Sequence, residues 1–554
     1  MGVGRADTVD TVTVTWPDGR VERRTDVPTN RRLTVRQAEA SPSDSTDRPV
    51  PLPEMPSKPP LFEDVTDEAG LQHVHEENSF ADFRREPLLP RKLSTQGPRL
   101  AVADVTSNGL DDVYVGGAKG QPGTLYAQRA DGRFVSTNED VLSADATAED
   151  GEALFFDATG NGHEDLYVVS GGYEFSDTAP ALQDRLYVND GTGDFERARD
   201  RLPLFRQSGA AVEPIDFDGD GDQDLFVGGR VVPWHYGRTP ESYVLENDGT
   251  GNFADVTDEV APGLREVGMV TDAAWTDVTG DGRTELVVVG DWMPITVFRN
   301  TEGGLEEMDT TGLEQSHGWW TRLWAEDVTG DGRTDLVVGN FGRNMRLEAS
   351  PEAPVSMYVG DFNRNGRSDP LLSHYVDGEE VPVALRGPLV QQFGFLRKQF
   401  PTHEAYAEAA MEDLLSGRTT ENTVVRRVHT FSSVVVQNQG GGTFDVRPLP
   451  ACAQFAPTFG LIADDFTGNG ATDLLTAGNF YGTALNIGRM ASSYGALLRG
   501  DGDATFTAVL PPERGLQVDG QVRDMAVLNT ARHGRVLVLA KNDAPLQLIA
   551  PTTP

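Results

Sequence analysis

The chain has little lysine and almost no cysteine. Only five of its 47 basic residues are lysine, and Cys452 is the one cysteine among 554 residues. A single cysteine excludes an intramolecular disulfide and any zinc site built from several cysteines. No run of 18 apolar residues occurs, so the sequence predicts no membrane insertion. The first ten residues lack the basic and then apolar pattern of a secretory signal.

The common catalytic motifs are absent as well. The sequence contains no Gly-x-Ser-x-Gly elbow, no phosphate-binding loop ending in Gly-Lys-Ser/Thr, no His-Glu-x-x-His and no dinucleotide fingerprint. His73 and His75 would share one face of a strand and could hold a transition metal beside Glu76 or Glu77; the alternative is a pair of surface histidines. No catalytic residue is predicted from these patterns.

Acidic residues dominate the charge. The 86 Asp and Glu against 47 Lys and Arg give a formal net charge of −39. Nucleic acid is a polyanion that proteins bind mainly through lysine and arginine, so it is excluded as a partner. An acidic, lysine-poor surface is typical of a halophilic protein, and we attribute most of the charge to adaptation to salt.

One acidic motif recurs along the chain. The pattern Asp-x-[Asp/Asn/Thr]-x-[Asp/Asn]-Gly-x-x-[Asp/Glu] occurs seven times. Most copies precede a short Val-rich run, which indicates a buried strand. Gly-rich hairpin turns follow, and each leads to an outer strand that in most repeats begins with Phe. Each repeat therefore predicts four antiparallel strands, and such units arranged in a ring form a β-propeller.

The repeats predict an all-β chain with a seven-bladed propeller, eight blades being the alternative because the segment from Asp524 resembles a further strand pair. Asp361 follows Asp327 by only 34 residues, so we place both in one blade. The segment from Leu61 to Thr66 would supply the missing outer strand of the last blade. The predicted domains are a short β segment at 1–40, a Pro/Ser-rich linker at 41–60 and the propeller at 61–554. A helical insertion without strands is predicted at 385–427, with one helix from Thr402 to Gly417.

The Asp motif has the spacing of a calcium loop. Calcium takes six to eight oxygen ligands, and positions 1, 3, 5 and 9 of such a loop can supply side-chain oxygens around a glycine at position 6. Asx turns without a metal are the alternative. We predict structural Ca²⁺ ions, with the tightest site at the Asp216 loop because it has four carboxylates. The predicted ligands are Asp104, Thr106, Asn108, Asp112, Asp157, Thr159, Asn161, Asp165, Asp216, Asp218, Asp220, Asp224, Asp277, Thr279, Asp281, Glu285, Asp327, Thr329, Asp331, Asp335, Asp361, Asn363, Asn365, Asp369, Asp465, Thr467, Asn469 and Asp473.

Aromatic residues are concentrated in the loops predicted at the opposite face. They could stack on sugar rings or hold a peptide side chain, or they could plug the central channel and pack beneath the loops. The candidate ligand-binding residues are Tyr173, Trp234, His235, Tyr236, Trp292, Trp319, Trp320, Phe341, Phe480 and Tyr481.

The Asp-loop repeat followed by a Gly-x-Phe hairpin resembles the FG-GAP or VCBS repeats, which are calcium-binding propeller blades also found in integrin α-chains. Residues 9–37, around Trp16, Pro17 and Gly19, are similar to the end of the ASPIC/UnbV domain. That domain accompanies such repeats in the cartilage acidic protein group, where it follows the propeller. Because only its tail precedes the propeller here, we expect the chain to be a fragment, with a propeller and the rest of the ASPIC/UnbV domain upstream.

The resemblance implies a calcium-binding extracellular or cell-surface protein without catalysis. Its partner would be an extracellular protein or a glycan, bound for adhesion or ligand capture. The alternative function is that of a polysaccharide lyase or hydrolase that uses the aromatic face. Outside the metal loops, the candidates for its acid–base pair are Asp291, Glu174 and His235.

Overall fold

A computed structural model describes residues 6–16, 20–37, 41–42 and 59–552. The chain divides into two compact units, residues 1–59 and 60–554. The first unit contains a small antiparallel sheet of β1 (Thr8–Thr15), β2 (Arg20–Pro28) and β3 (Ser41–Pro42), in the order β1-β2-β3. The β segment expected here is therefore present. Most of the predicted linker, residues 43–58, lies outside the described residues.

Antiparallel four-stranded sheets make up most of the second unit. Six sheets run in chain order, with each strand paired to the next, and a further pairing of Asp291 with Trp319 and of Met293 with Gly318 joins the fourth sheet to the fifth. The first two comprise β5 (Leu100–Ala103), β6 (Asp112–Val115), β7 (Thr124–Gln128) and β8 (Phe134–Thr137), then β9 (Asp150–Phe156), β10 (Asp165–Ser170), β11 (Arg185–Asn189) and β12 (Phe195–Arg197). The third and fourth comprise β13 (Ser208–Ile215), β14 (Asp224–Val231), β15 (Tyr243–Asn247) and β16 (Phe253–Asp255), then β17 (Met269–Thr276), β18 (Glu285–Met293), β19 (Thr296–Thr301) and β20 (Gly304–Glu307).

The fifth sheet comprises β21 (Gly318–Glu326), β22 (Asp335–Asn340), β27 (Val434–Gly440) and β28 (Thr443–Pro448), and the sixth comprises β29 (Thr458–Asp464), β30 (Asp473–Gly478), β31 (Ala496–Gly500) and β32 (Phe506–Ala508). A seventh sheet is built from both ends of the unit. It comprises β33 (Gln521–Thr530), β34 (Gly534–Asn542), β35 (Gln547–Pro551) and β4 (Phe62–Asp64).

The first strands of these sheets form a closed ring. Each contacts the first strand of the next sheet, and β33 of the seventh contacts β5 of the first. The predicted all-β propeller architecture is thereby confirmed. The Val-rich runs lie where neighbouring sheets stack, and residues 286–289 of β18 are fully buried because both faces of that strand are covered.

The strand that begins at Phe62 closes the ring. Phe62 pairs with Pro551 and Asp64 with Ile549 in an antiparallel register. The segment from Asp524, which had suggested an eighth blade, forms the first two strands of this same sheet. The predicted closure by residues 61–66 is confirmed, and it removes an edge that would otherwise pair with another chain.

An insertion in the fifth sheet is larger than predicted. Residues 341–433 separate β22 from β27 and carry their own sheet of β23 (Val355–Gly360), β24 (Asp369–Val376), β25 (Glu379–Pro382) and β26 (Val424–Val428). The Asp361 loop joins β23 to β24, so its placement in one blade with Asp327 was wrong. Residues 385–427 were also expected to lack strands. Strand β26 has three valines around two adjacent arginines and lacks apolar alternation, and its pairing with β23 identifies it as a strand.

Four short helices occupy the centre of the insertion, at α5 (Arg386–Gln392), α6 (Leu396–Gln399), α7 (His403–Ala407) and α8 (Met411–Leu415). The predicted N-cap is correct, since Thr402 Oγ1 accepts a hydrogen bond from the Ala405 amide at 3.1 Å. The single helix expected at 402–417 is divided, however. The Asp413 carboxylate accepts from the Ala410 amide at 3.1 Å and begins a second helix there.

The other helices are single turns between strands, at α1 (Thr66–Ala69), α2 (Asp82–Arg85), α3 (Glu139–Ser143), α4 (Thr257–Val260) and α9 (Pro511–Arg514). Throughout the described ranges no helix exceeds seven residues, whereas a helix needs about 20 apolar residues to cross a bilayer.

Candidate metal loops and the buried face opposite them

Six of the seven Asp loops occupy equivalent places in the ring. Each joins the first and second strands of its sheet, in sheets one to six, and the Asp361 loop has the same place in the inserted sheet. Loops between first and second strands all emerge at one end of a propeller, because the strands are antiparallel and the sheets repeat in the same direction. The opposite end carries the connections from second to third strands and from one sheet to the next.

The first aspartate of a loop holds the turn together. Asp104 accepts hydrogen bonds from the amides of Asn108 and Gly109, at 2.9 and 2.7 Å, one to each carboxylate oxygen. Gly109 has a φ of 81°, which side chains rarely adopt, so glycine is required at position 6. The same pair of bonds recurs at Asp157, Asp361 and Asp465.

The ninth residue ties each loop to the sheet. Asp112 is fully buried, and its two carboxylate oxygens accept from the amides of Gln128 and Thr106, at 2.7 and 3.0 Å. Burial raises the pKa of this carboxyl group. At the equivalent Asp224, burial, with Asp218 and Asp220 nearby, raises the pKa to about 7. A pKa raised in this way means that the site disfavours the carboxylate form unless a counter-charge is present.

The Asp216 loop brings three carboxylates together. One oxygen from each of Asp216, Asp218 and Asp224 lies within 4.8 Å of the others. Oxygens at 2.3–2.6 Å from one calcium ion are at most about 5 Å apart, so this spacing fits a common cation. The fourth predicted ligand, Asp220, lies outside the group, and its Oδ1 accepts from the Asp222 amide instead.

Several predicted ligand oxygens are buried without a hydrogen bond. Within the described residues, no partner is present for the position-3 hydroxyls of three loops or for one position-9 oxygen in two others. A buried polar atom without a partner costs about 1–3 kcal/mol, so native structures satisfy nearly all of them. These atoms are Thr106 Oγ1, Thr159 Oγ1, Thr467 Oγ1, Asp335 Oδ2 and Asp369 Oδ2.

Most of the aromatic candidates at the opposite end are in the core. One apolar cluster contains Tyr173, Tyr236, Trp292, Trp319, Phe341 and Phe480, and Trp320 is buried beside it. Trp292 Nε1 donates to Tyr236 Oη at 2.8 Å. These seven side chains fill the interior instead of presenting a stacking surface. Only Trp234, His235 and Tyr481 keep partial exposure.

Asp291, a candidate acid–base residue, is an ion-pair partner. Its carboxylate lies 2.5 Å from Arg91 Nη2 and 2.7 Å from Arg230 Nη2. Burial alone would raise the pKa of Asp291, but Arg230 and Arg91 lower it below its usual range. It is therefore a permanent anion and not a proton donor. Among the other candidates, His235 has its pKa lowered by burial.

His73 and His75 are both buried, which contradicts the surface alternative. His73 Nδ1 lies 3.1 Å from Tyr126 Oη. Burial lowers the pKa of His73 to about 4 and that of His75 to about 3, so both rings are neutral at pH 7.

The sequence patterns did not single out the charges inside the ring. Arg322 lies 3.5–3.6 Å from carboxylate oxygens of Glu152, Asp272 and Asp524, which come from three different sheets. Each carboxylate lies within the first strand of its own sheet and belongs to no repeated motif, so no periodic signal marks the group.

Comparisons with known proteins agree with the repeats predicted from the sequence. Residues 157–227 and 277–338 match the family described as FG-GAP-like repeat, and residues 1–42 match the family described as ASPIC and UnbV. No curated protein is significantly similar to the chain.

Similar solved structures include the Vibrio cholerae biofilm matrix protein Bap1, with 12% identity over 87% of this chain and 91% of that chain and a TM-score of 0.34. Saccharomyces cerevisiae Sqt1 has 10% identity over 83% and 97%, with a TM-score of 0.40. YCF48 bound to D1 peptide has 9% identity over 84% and 96%, with a TM-score of 0.36. Likenesses this weak carry no functional inference. The ring of sheets is a β-propeller in which residues 157–227 and 277–338 are similar to FG-GAP-like repeats, and residues 1–42 are similar to the ASPIC and UnbV family.

Proposed function

We propose that the protein is a calcium-stabilised, non-catalytic binding module that acts outside the cell or at its surface. The observation that carries the metal assignment is the Asp216 loop, where oxygens of Asp216, Asp218 and Asp224 lie within 4.8 Å of one another. The unpartnered oxygens at ligand positions of the other loops support it. The finer placement, in the cartilage acidic protein-like group, belongs to the same proposal.

Calcium suits these loops better than magnesium. The donors are carboxylates, hydroxyls and amides held by backbone hydrogen bonds, and calcium accepts such varied oxygen shells. Magnesium demands near-ideal octahedral geometry and keeps several waters. In these loops Ca²⁺ would offset the repulsion among clustered carboxylates and brace the first two strands of each sheet.

The metal assignment is tested by calorimetry with Ca²⁺ on the parent and on two variants. Asp216→Ala should remove the tightest site, whereas Asp104→Ala should remove a weaker one. The melting temperature of the parent should fall in chelator, since binding to the folded state stabilises it. A larger loss of affinity in Asp104→Ala than in Asp216→Ala would contradict the ranking, and no heat of Ca²⁺ binding would contradict the assignment.

Partner binding is assigned to the end of the ring opposite its six Asp loops. A pocket of about 140 Å³, bordered by Asp369 of the loop in the inserted sheet, is lined also by Arg85, Glu86 and Trp234. The Arg85 guanidinium lies 3.7 Å from the centre of the Trp234 ring. A glycan array with the parent and Trp234→Ala tests this pocket, and unchanged binding in the variant would remove it as the ligand site.

The same pocket provides the one specific observation that favours the enzyme alternative. Burial raises the pKa of Glu86 to about 8 and that of Asp369 to about 6, so the two could exchange protons with a substrate. Asp369 is also a predicted calcium ligand, which would keep it ionised. Cleavage of a polysaccharide by the parent and not by Glu86→Gln would favour a lyase or hydrolase over a binding module.

The location is tested on cells that express the complete gene. Protease added outside intact cells should digest the protein, while a cytoplasmic marker stays intact. Protection of both proteins would contradict an extracellular or surface location.

A further inference from the structure

An apolar pocket of about 380 Å³ lies at the end of the ring opposite its six Asp loops. Three segments form most of its wall: residues 83–90 of the connection between β4 and β5, residues 383–388 after β25, and residues 483–487 between β30 and β31. The pocket is separate from the Asp loops. It shares only Pro87 and Leu88 with the pocket of about 140 Å³ assigned to the partner.

Hydrogen bonds hold the three segments together. The Ala484 amide donates to the carbonyl oxygen of Pro90 at 2.8 Å, which ties the third segment to the first. Asn486 Nδ2 donates to the carbonyl oxygen of Val383 at 2.8 Å, which ties the third segment to the second. The pocket is therefore preformed, and a ligand would enter it without paying for the ordering of a loop.

The lining offers little to a polar ligand. Thirteen of its fifteen side chains are apolar and none is charged, although charged residues make up 24% of the chain. The two polar side chains already donate to backbone carbonyls, Asn486 to Val383 and Thr483 Oγ1 to Gly488 at 2.5 Å. A sugar would leave its hydroxyl groups without partners here, which is costly, so the lining favours a hydrocarbon.

The volume fits an alkyl chain. Small-molecule sites typically have about 300–1,000 Å³, and a cavity of about 150 Å³ holds benzene. On that scale, 380 Å³ accommodates about 15 carbon atoms at most. A single leucine or phenylalanine side chain from a partner protein would leave most of the volume empty and would lose the contacts that a filled cavity provides.

Two leucines of the lining are exposed to solvent. Leu385 is 60% exposed and Leu485 is fully exposed. Contiguous exposed apolar surface marks binding sites, because covering it removes apolar area from water. A chain lying in the pocket would cover both side chains.

The exposed charges that flank the lining along the chain are basic. Arg84, Lys92 and Arg489 each lie within two positions of a lining residue, keep partial or full exposure, and form no ion pair with another described residue. The acidic residues in the same stretches, Asp82 and Glu86, are buried. In a chain with a net charge of −39, this local excess of exposed basic charge favours an anionic head group.

The alkyl chain and the head group together define the ligand. We propose that this pocket binds a single-chain anionic amphiphile, a fatty acid of about 12 carbons, with its carboxylate at the rim that Arg84, Lys92 and Arg489 flank. An anionic membrane is disfavoured, because the net charge of −39 would repel it. The proposal goes beyond the binding function proposed above and depends neither on calcium nor on the pocket beside Trp234.

Calorimetry with dodecanoate, in buffer without added calcium, tests the site. The parent should bind dodecanoate and should not bind dodecyltrimethylammonium, which has the same chain and the opposite charge. Decanoate should bind about 10- to 20-fold more weakly than dodecanoate, because each buried methylene contributes about fourfold in affinity.

Leu385→Asp should weaken dodecanoate binding about tenfold or more, because it places a carboxylate at the mouth of the pocket and removes apolar contact. Leu385 is the N-cap of α5, where aspartate is favourable, so the melting temperature should stay close to that of the parent. Leu204→Asp is the matched control. Leu204 is 77% exposed and lies outside the pocket, so its variant should bind like the parent.

Lys92→Gln tests the head group. It should weaken dodecanoate binding about two- to fivefold, as expected for one exposed ion pair, and the effect should shrink at high salt. Lys398→Gln, an exposed lysine of α6 that does not flank the lining, is the control and should leave the affinity unchanged.

Equal binding of dodecanoate and dodecyltrimethylammonium, or parental affinity in Leu385→Asp, would overturn the proposal. So would sedimentation of the parent with anionic phospholipid vesicles that is lost in Leu485→Asp while dodecanoate does not bind, since the leucines would then contact a membrane. A dimer that the same variant dissociates, again without dodecanoate binding, would also overturn it and would assign the surface to a second copy of the chain.

Discussion

Arg91 Nη2 lies 2.5 Å from both carboxylate oxygens of Asp291, a residue 200 positions further along the chain. Arg91 comes from the connection that follows β4, and Asp291 comes from β18, on the opposite part of the ring. Both side chains are almost fully buried, and the guanidinium also lies 4.6 Å from the centre of the Phe341 ring. This pair joins the first connection of the propeller to its fourth sheet.

Asp291→Asn should be strongly destabilising. It would leave Arg91 and Arg230 buried without a counter-charge, and breaking a buried pair from one side typically costs about 3–5 kcal/mol. Urea unfolding measures the change. Asp131→Asn, which breaks the exposed pair with Arg133, is the control and should leave the midpoint unchanged. Equal midpoints for Asp291→Asn and the parent would contradict a structural role for the pair.

Thr159→Val should weaken calcium binding and leave the metal-free fold intact. Thr159 Oγ1 makes no well-formed hydrogen bond among the described residues, so its removal should cost the metal-free fold little. Loss of one neutral ligand should weaken binding about 3- to 10-fold, equivalent to ~1 kcal/mol. Calorimetry gives the affinity, and Thr124→Val on β7 is a control outside the loops. A variant with parental affinity would show that this hydroxyl is not a ligand.

Two N-terminal truncations should differ in melting temperature and in aggregation. A chain that starts at Pro59 keeps β4, whereas one that starts at Thr66 loses it and leaves β35 as an open edge. The longer chain should melt like the parent, and the shorter one should melt lower and aggregate, because unpaired edge strands associate. Light scattering during a thermal ramp measures the aggregation of each chain and the temperature at which it begins. Identical behaviour of the two chains would mean that β4 does not close the ring.

Trp292→Ala should lower the free energy of unfolding, whereas Trp234→Ala should weaken ligand binding. Trp292 is 2% exposed and packs edge-on against Trp319, so its truncation should cost about 3–5 kcal/mol. Trp234 borders the pocket, and its loss should change the fold much less. Chemical denaturation ranks the two variants, and a larger stability loss in Trp234→Ala would contradict this assignment.

Asp184 should make stability depend on pH. Its carboxylate accepts from Tyr167 Oη and the Ser170 amide, at 2.8 and 2.7 Å, but burial raises its pKa from 3.8 to about 7. The folded state therefore binds the proton more tightly than the unfolded state. Its stabilising contribution is complete below pH 3.8 and is lost as the pH rises through 7, by a few kcal/mol at most.

Asp184→Asn should remove this dependence. The amide can accept from Ser170 and donate to the Tyr167 hydroxyl, so the hydrogen bonds survive without a titrating group. The difference in unfolding free energy between variant and parent, measured by urea unfolding, should grow between pH 5 and pH 8. A difference that is independent of pH would show that Asp184 does not titrate in this range.

The repeat pattern was enough to predict the propeller because each blade repeats the same local rules. Glycine at a positive φ, an aspartate that caps the turn and a Val-rich strand are all short-range features. The inserted sheet was missed for the opposite reason. Strand β26 is a five-residue run of three valines and two arginines without apolar–polar alternation, and it is recognised as a strand because Val428 and its neighbours pair with β23.

The functional residues likewise divide into those that the sequence predicts and those that only the structure reveals. The sequence by itself determined the seven loops, their glycines and the strand that begins at Phe62. Only the tertiary structure decided that Trp292 is core, that Asp291 is an ion-pair partner and that Arg322 meets carboxylates from three sheets. Local periodicity encodes turns and strands, whereas burial and the meeting of side chains from distant loops depend on how the ring closes.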